Sequence, residues 1–142
     1  MARLPNTILC IDDQWLRLIT RKRLLEASGY KVVEAINGDE GLRVFRTTVV
    51  DAVVLAYQMP GMNGDVAAAR MKRMKPHVPI MLLSSYGPLP DNKLEFVDAF
   101  LLVSQEPKFL VSSLQQLLAS RSKPFFHRWF DHWTGRNQGT RP

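Results

Sequence analysis

Two hydrophobic periods alternate along the whole chain. Short apolar or β-branched runs read as strands at Thr7–Ile11, Lys31–Ala35, Asp51–Leu55, Pro79–Leu83 and Asp98–Leu102. Between them lie helical patterns. The first is Gln14–Ser28, with Trp15, Leu18, Ile19 and Leu25 on one side and Gly29 placed to terminate it. The next are Asp39–Thr47, with Gly38 at its start, and Asp65–Met74, ended by Pro76. A short fourth helix is expected over Asp91–Phe96, and a fifth from Pro107, a good first-turn residue, to Ala119. Five strands alternating with five helices predict an α/β fold, a five-stranded parallel sheet covered on both faces. The strands are mostly apolar without clean alternation, as strands buried on both faces should be. Functional groups in such sheets gather at the carboxyl ends of the strands, beside the switch point.

The chain has 142 residues, of which 46% are hydrophobic and 23% charged, enough apolar material for one sizeable core. No apolar run approaches the roughly 20 residues of a membrane helix, and the N-terminal stretch ending in Asp12 and Asp13 has no signal-peptide pattern. Cys10 is the only cysteine, which excludes an intrachain disulfide and paired-cysteine zinc or redox motifs. A cytoplasmic protein is the plain expectation. The net charge of +6 is unevenly placed. Residues 1–120 hold 14 Lys/Arg against 12 Asp/Glu, whereas residues 121–142 hold 5 against 1. The high isoelectric point therefore describes a basic tail on a balanced body. We accordingly divide the chain into residues 1–120 and a C-terminal appendage, 121–142.

Asp12 and Asp13 stand at the predicted carboxyl end of the first strand. Adjacent carboxylates repel unless a hard cation lies between them, and an Asp ahead of Gln14 can equally cap the first helix. After the third strand, Pro60-Gly61 and Asn63-Gly64 mark tight turns leading into the third helix. Ile11-Asp12-Asp13 followed by Met59-Pro60-Gly61-Met62-Asn63-Gly64, within a five-fold βα pattern, resembles the receiver domain of two-component response regulators. The resemblance covers about residues 6–120 and implies the flavodoxin-like, doubly wound (βα)5 fold.

In that family the acidic pair and a third Asp ending strand three bind Mg²⁺, and the third Asp accepts a phosphoryl group from a kinase histidine. A hydroxyl residue ends strand four, and an aromatic switch lies in strand five. A lysine ending that strand holds the phosphoryl oxygens. By this resemblance Asp12, Asp13 and the backbone carbonyl of Gln58 are the metal positions, and Ser84 and Phe100 the switch positions. The nucleophile position is Ala56 and the lysine position Val103, with Ser104 after it. Lys93 and Lys108 lie too far along the chain to substitute. The loss of a carboxylate leaves a weak or vestigial Mg²⁺ site and no catalytic residue. Val103 also removes the counterion expected beside the acidic pair. Ser84 has a plain alternative as a local hydrogen-bonding residue, and Phe100 as core. Pro88 and Pro90 predict a reduced or displaced fourth helix.

Other chemistry is not signalled. His77, His127 and His132 lack metal-ligand spacing, and Ser84-Ser85 lacks a nucleophile-elbow pattern. Cys10 reads as a small buried hydrophobe. In the tail, Phe125, Phe126, Trp129, Phe130 and Trp133 form one aromatic stripe at helical spacing, with Pro124 placed to start it. The stripe suits docking on its own domain, a protein partner or self-association, ahead of membrane or nucleic-acid contact. The expectation is a non-enzymatic pseudo-receiver of a bacterial-type phosphorelay. It would contact a histidine kinase, a downstream effector or a second copy of itself. One rival is an ordinary phosphoacceptor carrying an engineered Asp-to-Ala change at position 56. Another is a nucleic-acid or membrane adaptor using the basic aromatic tail.

Overall fold

A computed structural model describes residues 4–120. Its strands are β1 (Thr7–Ile11), β2 (Lys31–Ala35), β3 (Ala52–Ala56), β4 (Ile80–Ser84) and β5 (Ala99–Leu102). They form one parallel sheet in the order β2-β1-β3-β4-β5. The helices are α1 (Trp15–Ala27), α2 (Gly38–Thr47), α3 (Gly64–Met74), α4 (Asp91–Leu94) and α5 (Glu106–Ser120), the last entered through a 3-10 turn at Val103–Gln105. The order reverses at β1, so the carboxyl ends of β1 and β3 adjoin the switch point where ligands gather in this architecture.

Strand periodicity divides the interior into two layers. Leu9, Ile11, Val53, Leu55, Ile80 and Leu82 pack with Leu42 and Phe45 of α2 and Ala67, Ala68 and Met71 of α3. Ile8, Cys10, Val54, Met81 and Leu83 pack with Leu18 and Leu25 of α1 and Leu110, Leu114 and Leu117 of α5. Continuous apolar strands thus follow from having helices on both faces. β3 and β4 each run one residue past their predicted ends. The Tyr57 amide still donates to the Leu83 carbonyl at 2.7 Å, which brings Ala56 and Ser84 into the sheet.

Local chemistry fixes the helix ends. Gly29, at φ +95°, lets Gly29 N–H and Tyr30 N–H return to the carbonyls of Glu26 and Leu25, closing α1 in a Schellman motif. Asn37 caps α2 by accepting from the Glu40 amide, and Glu40 accepts from the Ile36 amide. The fourth helix is a single four-residue turn, the reduction that Pro88 and Pro90 suggest. α1 corrects the sequence reading. Trp15 is 69% exposed, and the inward face is Leu18, Arg21 and Leu25. Packing starts one turn later than the extrapolated stripe, and its central position is filled by an arginine.

Candidate functional site

β1 carries Ile8 and Cys10 into the α1/α5 layer, and the same alternation directs Asp12 there just beyond the strand. The carboxylate of Asp12 is fully buried. One oxygen accepts the Gln14 amide at 2.9 Å, and the other accepts Arg21 Nη1 at 2.6 Å. The helix start of α1 is therefore held by the side chain of Asp12, while Gln14 and Asp13 supply no cap. Arg21 turns its remaining donors to Glu106, the first residue of α5. Nη2 donates to Oε1 at 3.1 Å and Nε to Oε2. The Arg21 side chain has no exposure, and that of Glu106 has 12%. Burial by itself would lower the Arg21 pKa. The hydrogen bond and charge of Glu106, followed by Asp12, hold it above its ordinary value. Each charge in the triad is met by a charge-assisted hydrogen bond. Cys10 lies beneath, fully buried, and desolvation is the main reason its pKa is pushed up to about 12.

This triad overturns the expectation that the acidic pair has lost its counterion. Val103 supplies none, for it packs half-buried against the α1/α5 layer. The cation comes instead from α1. Sequence reasoning missed Arg21 because it sits in the run Arg21-Lys22-Arg23, which looks like a solvated face. Its spacing, three after Leu18 and four before Leu25, was the available signal. Glu106, 85 residues away, had none.

Asp13 is exposed and lies with Gln58 in an open cleft of about 520 Å³ over the carboxyl ends of β1, β3 and β4. Arg17, Asn63, Ser85 and Tyr86 line the same cleft, and Arg17 Nη2 approaches Ser85 Oγ at 3.5 Å. The loop leading to α3 is built by close packing. The Gly64 amide donates to the Tyr57 carbonyl at 2.7 Å. A Cβ on Gly64 would lie 2.3 Å from the Ala56 carbonyl oxygen, so only glycine lets α3 start this near β3.

Ala56 ends β3 at 4% exposure and belongs to the α2/α3 layer. The hydroxyl of Ser84 is committed locally, accepting the Tyr86 amide at 3.1 Å and donating to the Tyr86 carbonyl. Phe100 is half-buried against the α2/α3 layer. Lys93 pairs with Asp65 at 3.3 Å, and Lys108 lies over the Phe109 ring. Neither reaches the acidic pair. Phe125, Phe126, Trp129, Phe130 and Trp133 lie outside the described residues.

A divalent ion fits poorly here. Mg²⁺ wants hard oxygen ligands in octahedral geometry and dehydrates reluctantly. Both oxygens of Asp12 are already engaged, Ala56 has none to offer, and Asp13 and Gln58 remain on the open side. Among the described residues no group of three or more His, Cys, Asp or Glu is arranged to hold a metal. In the same residues no helix is long and apolar enough to cross a membrane.

The comparisons with known proteins agree with this fold. The chain is 34% identical over 93 residues to the transcriptional regulatory protein GlrR of Escherichia coli K12, an alignment covering 64% of this chain and 20% of that protein. The chain thus spans about a fifth of that relative's length. A CheY-like receiver domain from Methanospirillum hungatei superposes with a TM-score of 0.78 at 22% identity, covering 83% of this chain and 97% of that one. The response regulator TrrA of Thermotoga maritima, solved in complex with Mg²⁺-BeF, gives 0.74 at 27% identity, covering 78% and 96%. The family described as response regulator receiver domain matches residues 8–99. With its strand order, acidic pair and loop in place, the chain belongs to the receiver domains of two-component phosphorelay systems.

Proposed function

We propose that this receiver domain signals by protein contacts and takes up no phosphoryl group. Ala56 carries the reading. It ends β3, at the position where the family's pattern places the nucleophilic carboxylate. A methyl group cannot form an acyl phosphate, so covalent capture has no acceptor. Val103 agrees, since it offers phosphoryl oxygens no cation. The module is non-enzymatic and cytoplasmic. Its partners are a histidine kinase, a downstream effector or a second copy. Mg²⁺ binds weakly, through Asp13 and the Gln58 carbonyl, with Asp12 held back.

An engineered Asp-to-Ala change in an ordinary phosphoacceptor accounts for Ala56 but not for Val103. An Asp codon at position 56 of the source gene would establish that rival. Intact-mass spectrometry with acetyl phosphate and Mg²⁺ tests the reading directly. No added phosphate is expected on the wild-type chain, and a Mg²⁺-dependent adduct would refute the proposal. Ala56→Asp alone should label slowly, and Ala56→Asp with Val103→Lys faster. Equal rates would remove position 103 from the account.

A further inference from the structure

The poor fit for a divalent ion has a specific origin at Asp12. The carboxylate is fully buried, yet its neutralising charge is a side chain of the same chain, Arg21, at 2.6 Å. Arg21 is itself held by Glu106 through two further donors. We propose that Arg21 is the resident cation of the acidic pocket, clamped by Glu106, and that it shields Asp12 from divalent metal and ties α5 to β1. The inference rests on the functional reading above, in which no phosphoryl chemistry calls for a metal.

The physical case is one of competition. A divalent ion on Asp12 would stand beside a guanidinium in a site of low effective dielectric, where like charges repel strongly. Admitting the ion would require Arg21 to leave. Departure would strip the counterion from Glu106 as well, so one metal bond would cost two buried pairs. A guanidinium suits this place better than an ammonium. It stays charged when buried, and its planar fork meets Glu106 with two donors while a third reaches Asp12. Two carboxylates and one cation leave a net negative charge. It can settle toward Glu106, whose side chain retains 12% exposure while Asp12 has none. The triad joins β1, α1 and α5, so the surface formed by α1 and α5 keeps one arrangement whether or not Mg²⁺ is present.

Calorimetric Mg²⁺ titration of the full chain tests this, alongside Asp12→Asn and the paired variant Arg21→Met/Glu106→Leu. Wild type should show only weak binding, with no saturation below roughly 1 mM. Asp12→Asn should match it within about twofold, because Asp12 contributes nothing while Arg21 holds it. The paired variant removes the cation together with its clamp, and its Mg²⁺ affinity should rise about tenfold or more. Three results would overturn the proposal: a micromolar site in wild type, a weaker site in Asp12→Asn, or unchanged affinity in a folded paired variant. If the paired variant fails to fold, the Asp12→Asn comparison decides alone, with equality supporting the shield and loss refuting it. Mass spectra of the same samples separate the two claims. Phosphate uptake by wild type refutes the functional reading, whereas an unchanged Mg²⁺ affinity in the folded paired variant refutes only the role of Arg21.

Discussion

Replacing Arg21 with Met should be among the most damaging single changes in the domain. The side chain is fully buried and its three donors serve two carboxylates, one with no exposure and one with 12%. Met keeps much of the apolar stem and removes the charge, so packing loss is small and the electrostatic loss dominates. Breaking a buried pair from one side costs about 3–5 kcal/mol, because the surviving charge stays desolvated. Against a typical total of about 5–15 kcal/mol, that is a large fraction of the stability. For a domain of this size each kcal/mol lowers the melting temperature by roughly 3–6 °C, so a fall of about 9–30 °C is expected. Equilibrium urea unfolding followed by circular dichroism measures it, with an unchanged m-value showing that two-state behaviour holds. Asp12→Asn/Arg21→Met/Glu106→Leu should recover most of the loss, since the three charges then leave together and the introduced carboxamide can still accept the Gln14 amide. A cost below about 1 kcal/mol for Arg21→Met would mean the triad behaves like a solvent-screened surface pair. The account of the pocket would then be wrong.

Three further outcomes follow from the same geometry. Gly64→Ala should destabilise by about 2 kcal/mol or more, because its Cβ meets the Ala56 carbonyl oxygen at 2.3 Å and backbone must move; denaturant midpoints check this, and a neutral effect would show that α3 can slide without cost. Cys10 should resist a thiol-specific reagent at pH 8 in the folded chain and react fully in denaturant, since burial pushes its pKa up to about 12 and thiolate is the reactive form. The folded state favours the neutral thiol, so Cys10 contributes stability below its ordinary pKa, and that contribution is lost as pH rises from 9.0 toward about 12. Lys72→Met should cost about 3 kcal/mol, because Asp98, at 3% side-chain exposure, loses a 2.6 Å partner; thermal unfolding measures it, and rescue by Asp98→Asn would confirm that the stranded charge is the cause.

The residues best read from the sequence were those whose role is local. β3 and β4 were the most legible strands because burial on two faces leaves a nearly uninterrupted apolar run. Gly29 was legible because a helix stop needs a left-handed residue there. Asp12, Asp13, the Pro-Gly and Asn-Gly turns and the alanine at the end of β3 were legible as a motif. The motif did not reveal which of two adjacent carboxylates faces inward. That is decided by strand alternation, which carries Asp12 into the α1/α5 layer and leaves Asp13 in the cleft. Arg21 was illegible for a related reason. Its charge argued for solvent while its spacing argued for the core, and only the position of Asp12 resolves the conflict.

A buried carboxylate requires a cation, but nothing requires that cation to come from a fixed place in the chain. Treating Val103 as the loss of the counterion confuses a charge requirement of the pocket with a residue type at the end of β5. The requirement is met from α1, one layer below, and the donors that the arginine does not give to Asp12 are met in turn from α5. The three residues are therefore one electrostatic unit. Asp12 without Arg21 is a desolvated anion, and Arg21 without Glu106 is a buried cation with two idle donors. Substituting any one of them changes what the other two cost. Restoring a lysine at position 103 would not restore a simple acidic pocket, because that lysine would enter a site already holding a cation.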